Sequence, residues 1–276
     1  MSAAIRSALL LLAALLASPA AAQALPVSVT VSGPSAVVRI GAPTAPIANL
    51  RLDFDDVSGL TPAALGVSAE WVNVASPALL ARLPAGGAMS VPAELPLLVT
   101  VEPPTLGGLT FRRVVNVELH THALVYTAGS RYRLLKAPPG GSFRDITGSV
   151  RPGSVRTRGT TGGFSQFLVA LDLRPTLQAV AEKIARMRSE IDKLPPTEAG
   201  PLDAQLDAIE TALGNHRYVD AIGAAEAFRQ RVAARAGLGI PQEWRALRDR
   251  DNIAGELLAG VDTLVFSIGH MRDHGD

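Results

Sequence analysis

The chain contains no cysteine in 276 residues. That excludes disulfides, thiolate nucleophiles and any zinc or iron–sulfur site built on sulfur ligands. Lysine is almost as scarce, with Lys136, Lys183 and Lys193 the only three among 26 cations. Beside abundant alanine, this is the composition expected of a GC-rich bacterial genome. Charge of one sign is lacking too. The 26 basic and 25 acidic residues leave a formal net charge of +1, which gives no global pull towards nucleic acid or a membrane surface. Aromatics make up 4% of the chain, so stacking platforms for bases or sugars are few. An apolar fraction of 47% with 18% charged residues is ample for a core and excludes wholesale disorder.

The common catalytic signatures are missing as well. No glycine precedes a lysine, which removes the phosphate-binding loop. Glycines fall between strand patterns, where a dinucleotide fingerprint cannot form. Gly163-Phe164-Ser165-Gln166 is followed by Phe167, so no nucleophile elbow occurs, and neither Ser-x-x-Lys nor His-Glu-x-x-His is present. No cofactor is expected. A carboxylate-pair hydrolase stays open, because its two acids need no fixed spacing.

One long apolar run is present, and it is short for a membrane span. Arg6, the Ala8–Leu16 stretch, Pro19 and Ala22-Gln23-Ala24 form the pattern of a secretory signal peptide cleaved after Ala24. The expected mature protein is therefore exported, to the periplasm or beyond, with no further membrane-spanning segment.

From Leu25 to about Leu173 the apolar period is two. Val27, Val29 and Val31 alternate with Ser28 and Thr30; Leu50, Leu52 and Phe54 with Arg51 and Asp53; Val115, Val117 and Leu119 with Asn116 and Glu118. Phe167, Val169 and Leu171 alternate in the same way. Turn signals at Ser32-Gly33-Pro34, Gly86-Gly87, Pro103-Pro104, Gly107-Gly108, Pro138–Gly141, Pro152-Gly153 and Gly162-Gly163 separate the runs. Roughly eight or nine strands so punctuated predict an antiparallel, Ig-like β-sandwich over 25–173, with a closed barrel as the alternative.

After Arg174-Pro175 the period becomes helical. Leu177, Val180, Ile184, Met187, Ile191 and Leu194 form one stripe, ended by Pro195-Pro196. Leu202, Leu206, Ile209 and Leu213 form a second, and Tyr218, Ile222, Ala225, Phe228 and Val232 a third. A last helix is expected from near Pro241, carrying Trp244, Leu247, Ala254, Leu258, Val261, Val265 and Ile268. Short connections predict an antiparallel helical bundle over 174–276, making an α+β protein of two domains behind the signal segment. Trp71 and Trp244 are expected to anchor one core each.

Two clusters carry the chemistry that the sequence offers. Glu118, His120 and His122 share a strand face and are the candidate metal ligands; the competing reading is a solvated face opposite Val117 and Leu119. The stretch 131–158 holds seven cations against Asp145 alone. Within it Arg131 with Arg133, and Arg156 with Arg158, are the candidate anion patch. His216, His270 and His274 are read as helix-end residues favoured by the dipole.

Gly141–Thr147, Gly153–Arg156 and Gly162–Phe167 resemble exported proteobacterial β-domains of unknown function. Leu206–Val232, with Gly214-Asn215, Ala221-Ile222, Phe228 and Val232, is similar to the FIMAH-type helical module. The insert Trp244–Asn252 departs from that module. The resemblance implies no activity. The expected function is thus that of an exported, non-catalytic binding or structural protein, partnered by an envelope or extracellular polymer or protein. A polysaccharide-acting hydrolase and a periplasmic assembly factor or chaperone are the alternatives.

Overall fold

The structure, a computed structural model, describes residues 23–84 and 87–275. Nearly all of the expected signal segment lies outside the described residues, as does Gly86 of the Gly86-Gly87 turn. The first strands are β1 (Gln23–Leu25), β2 (Val27–Ser32), β3 (Ser35–Ala42), β4 (Ala45–Ser58), β5 (Val67–Trp71), β6 (Met89–Ser90) and β7 (Leu97–Val101). They continue as β8 (Thr110–Thr121), β9 (Tyr132–Ala137), β10 (Arg144–Asp145), β11 (Thr147–Arg151), β12 (Val155–Thr161), β13 (Gln166–Asp172) and β14 (Glu243–Arg245). Two short helices, α1 (Pro62–Leu65) and α2 (Pro77–Leu80), interrupt the strands. Four longer ones follow: α3 (Thr176–Ile191), α4 (Pro196–Gly214), α5 (Tyr218–Arg235) and α6 (Ile253–His274). The protein is a mixed α+β fold with two antiparallel sheets and six helices among the described residues.

One sheet runs β1-β5-β7-β13-β9-β10, with β6 beside β13; the other runs β11-β12-β8-β4-β3-β2, with β14 beside β8. The period-two residues face inward as their alternation requires. Leu50 pairs with Leu119 and Leu52 with Val117 across β4 and β8, and all four bury completely or nearly so with Val99, Leu134, Phe167 and Val169 of the other sheet. β13 departs from simple alternation. Leu168 and Ala170, expected to face outward, are buried beneath Leu79, Leu83, Met89 and Val91, so the strand is covered on both faces.

The helical stripes bury as their spacing predicts. Val180, Ile184, Met187, Ile191, Leu206, Ile209, Phe228 and Val232 form a second core with Leu257, Val261 and Leu264 of α6. Leu177 is exposed. The last helix begins twelve positions later than Pro241, after the segment 241–252 has returned to the sheets. Trp244 and Ala246 sit in the sheet core, two residues apart as strand side chains are, and β14 pairs with Thr110–Arg112 of β8. Trp71 packs partly buried against that same core, so the two tryptophans do not anchor separate ones. The helix start is fixed by Asn252, whose side chain accepts from the Gly255 amide at 2.9 Å.

α6 is 22 residues long and apolar enough to cross a membrane by length and composition, and 61% of its most apolar window is buried inside the protein. It packs on α3 and α5 on one side and on β8, β11 and β12 on the other. This helix is what joins the helices to the sheets.

Candidate functional site

Where α6 meets the sheets, three buried or half-buried charges face one another. Lys136 is 4% exposed, and its Nζ lies 3.1 Å from Glu256 Oε1 and within hydrogen-bonding reach of Thr161 Oγ1. Arg144 Nη2 takes the other Glu256 oxygen at 2.5 Å. Burial alone raises the Glu256 carboxyl, but Lys136 and then Arg144 outweigh it and hold the group down to about 2. Burial pushes the Lys136 ammonium down to about 8 against the pull of Glu256.

A second pair lies one strand away. Lys183 of α3 reaches Asp145 Oδ2 of β10 at 2.7 Å, and its other protons go to the Thr263 carbonyl at 3.1 Å and Ser267 Oγ at 2.8 Å. Burial lowers Lys183, and Asp145 opposes that shift. Two buried pairs from opposite layers define one seating of the helices on the sheet edge, a register role for which buried charges are suited.

Backbone proximity does the rest. Arg113 stands at φ +60° within β8, close to an irregularity in the β4–β8 register. Its amide donates to the Gln242 carbonyl at 3.1 Å, and its carbonyl accepts from Asn252 Nδ2 at 2.7 Å. Asn252 Nδ2 also donates to the Gly162 carbonyl at 3.0 Å. The β8 strand, the 161–163 turn and the α6 start are thereby clamped around one asparagine.

The same junction opens outward as a groove of about 540 Å³. Lys136, Arg144, Arg186, Lys193, Arg248 and Arg250 line it, against Glu190, Asp251 and Glu256. Trp244, Phe143 and Phe164 supply aromatic walls, and Gly162-Gly163 bare backbone. Arg248 lies over the Trp244 ring at 4.8 Å, a cation–π contact that holds the guanidinium in place. Glu190 is buried and spanned by Arg186 at 2.6 Å and Lys193 at 2.7 Å. Each buried acid of the groove is thus held by two cations, and the exposed basic side chains form its rim.

The four arginines singled out in the sequence are not one patch. Arg156 and Arg158 project from β12 and both engage Glu118, Arg156 at 3.0 Å. Arg133 belongs to β9 of the other sheet, and Arg131 immediately precedes that strand. Arg131 donates to the Arg174 carbonyl at 3.3 Å, while buried Arg133 donates to the Ser130 and Tyr132 carbonyls and lies 5.4 Å from the Phe266 ring. Glu118, His120 and His122 do share the strand direction expected, with the two rings 4.7 Å apart. Glu118 is committed to the two arginines, and His120 Nε2 meets Ser154 Oγ at 2.8 Å. Among the described residues no group of three or more His, Asp or Glu is arranged to hold a metal ion. His270 is buried well inside α6, where burial takes it down to about 4.

Lys136 and Arg144 fell within the basic stretch noticed in the sequence. Their partner Glu256 lies 120 residues beyond Lys136, and no local spacing could have pointed to it. Trp244 and Arg248 were hidden by the helical reading of 241–252.

A model of a family of unknown function, DUF6689, matches residues 10–272. No curated protein and no solved structure shows a match to the chain.

Proposed function

Because the chain belongs to this family of unknown function over nearly its whole length, we propose for it the role that its junction groove supports: an exported, non-catalytic binding protein. Its ligand is an anionic polymer of the cell envelope or its surroundings. In this reading the sheets form an Ig-like sandwich over 25–173 and the helices an antiparallel, FIMAH-like bundle over 174–276. The groove lies where the two halves meet, and no cofactor takes part.

The observation that carries the reading is the imbalance at the groove rim. Six cations face three acids; four of the cations hold Glu190 and Glu256, which leaves Arg248 and Arg250 on the rim beside Asp251, with Arg250 3.7 Å from Glu243. Charge-assisted hydrogen bonds from Arg248 and Arg250, beside a flat indole, suit carboxylate or sulfate groups on an extended chain. The two cations that hold Glu256 down to about 2 also favour binding over hydrolysis, since a general acid needs a carboxyl raised, not lowered.

Heparin serves as a polyanionic probe. The Arg248→Ala/Arg250→Ala double variant is expected to bind it roughly tenfold more weakly, about 1.4 kcal/mol, and to elute at lower salt. Arg156→Ala/Arg158→Ala should elute nearly as the parent does, because both guanidiniums are already engaged by Glu118. Unchanged retention of the groove variant would sink the assignment. So would a loss confined to the β12 variant.

Export is read from the first 24 residues. Material recovered from the envelope should begin at Leu25 by mass spectrometry, and Met1 or Leu16 there would contradict cleavage of the signal. Cleavage after Ala24 leaves Leu25 as the sole remaining residue of β1, so β5 then borders a nearly bare edge.

A further inference from the structure

The second sheet ends on β2, and no described strand lies beyond it. Sheet edges are normally blunted by charge, proline, bulges or brevity. The other edges follow that rule: β1 has three residues and β5, which cleavage would leave at that edge, carries Glu70; β10 has two residues, and β11 carries Arg151 and a register shift between Thr147 and Ser149. β2 does not. Val27-Ser28-Val29-Thr30-Val31-Ser32 is a regular six-residue strand with no charge, no proline and no register shift against β3.

The phase of its hydrogen bonds follows from the hairpin. Gly41 donates to the Pro26 carbonyl at 2.9 Å, so in the antiparallel ladder Ser28, Thr30 and Ser32 exchange bonds with β3. The amides and carbonyls of Val27, Val29 and Val31 therefore face the open edge. These are the same three residues whose side chains pack, partly buried, against the sheet core.

From this juxtaposition we infer that β2 is the contact between two copies of this chain, paired antiparallel about Val29. With Val29 opposite Val29 of the second copy, Val27 falls opposite Val31 and Ser28 opposite Thr30. Every outward amide and carbonyl of the three valines then meets a partner in a hydrogen-bonded pair. Valine faces valine on the core side, and hydroxyl faces hydroxyl on the solvent side. A shift by one residue would set Val against Ser or Thr and misalign the ladder, so the alternation itself selects a symmetric register. The uncharged strand imposes no like-charge repulsion on its copy, which favours self-pairing over a charged partner. The two seven-stranded sheets become one continuous sheet across the dimer axis.

Sedimentation of the purified chain across a concentration series should show twice the chain mass, with the monomer appearing on dilution. Val29→Pro removes an outward amide and leaves the β3 ladder intact, so it should stay monomeric with an unchanged circular-dichroism spectrum. The absence of native cysteine allows a second measurement that needs no proline. Val29→Cys should form a disulfide-linked dimer under mild oxidation, because the two Cα atoms of a hydrogen-bonded pair lie about 5.5 Å apart. Val31→Cys, placed opposite Val27, should not. A chain that is monomeric at every concentration overturns the proposal, including the case where the edge serves a strand from another protein. A dimer that survives Val29→Pro and gives no cross-link at position 29 overturns it equally.

Discussion

Replacing Glu256 by alanine is expected to lower folding stability by about 3–5 kcal/mol at neutral pH, the cost of breaking a buried ion pair from one side. The carboxylate serves two cations at once, Lys136 at 3.1 Å and Arg144 at 2.5 Å. Without it Lys136 keeps only the Thr161 hydroxyl as a partner, and burial that already holds its ammonium at about 8 acts unopposed. The reverse substitution is milder. Lys136→Met leaves Glu256 paired with Arg144 and fills the space with an apolar chain, so it should cost well under half as much. Urea denaturation followed by tryptophan fluorescence measures both, and equal losses would show that the pair is not organised as argued.

The same pair sets a pH dependence whose sign can be worked out. Glu256 has its folded value near 2 against an ordinary 4.5. Its contribution is complete above pH 4.5 and is lost as the pH falls towards 2, on the order of 3 kcal/mol in all. Lys136 carries the same sign at the alkaline end. Its folded value near 8 lies below the ordinary 10.5, so between those limits the unfolded chain binds more protons and stability rises with pH. The Glu256→Ala variant should lose the acid limb of this profile.

What the sequence could reveal was limited by how far apart the interacting groups stand. Period two identified the core faces of β2, β4 and β8 and the inward face of β13, because each strand's alternation is imposed by its own sheet. Period 3.6 identified α3, α4 and α5 for the same reason. Leu168 and Ala170 are buried as well because Leu79, Leu83, Met89 and Val91, which follow no regular spacing, cover β13 from its other side. Residues 241–252 were misread because Trp244, Leu247 and Ala254 fit a helical stripe by chance, while the strand pairing that decides their state lies on β8. The basic stretch around Lys136 and Arg144 was legible; the groove was not, since it exists only once α3, α6 and the 161–165 turn converge.

That convergence gives the second large effect. Gly255→Ala should cost at least about 3 kcal/mol, because a Cβ there would stand 2.2 Å from the Arg113 carbonyl oxygen and 2.3 Å from Asn252 Nδ2. Neither neighbour is a free side-chain end. The Arg113 carbonyl belongs to β8, and Asn252 caps α6 while bonding the Gly162 carbonyl. Gly162→Ala meets the same crossing from the other side, at 2.5 Å from the Glu256 amide nitrogen and 2.7 Å from the Gly255 carbonyl carbon. Both changes push the α6 start off the sheets, so the double variant should cost much less than the sum of the singles. Gly269→Ala is the control within the same helix. Nothing lies within 4 Å of a Cβ at that position, so relief of glycine's backbone entropy should stabilise the protein by about 0.5–1 kcal/mol. If Gly255→Ala and Gly269→Ala shift the urea midpoint alike, helix propensity governs α6 and the close crossing does not. Opposite shifts place the stability of the groove in the contact between one glycine and one strand carbonyl.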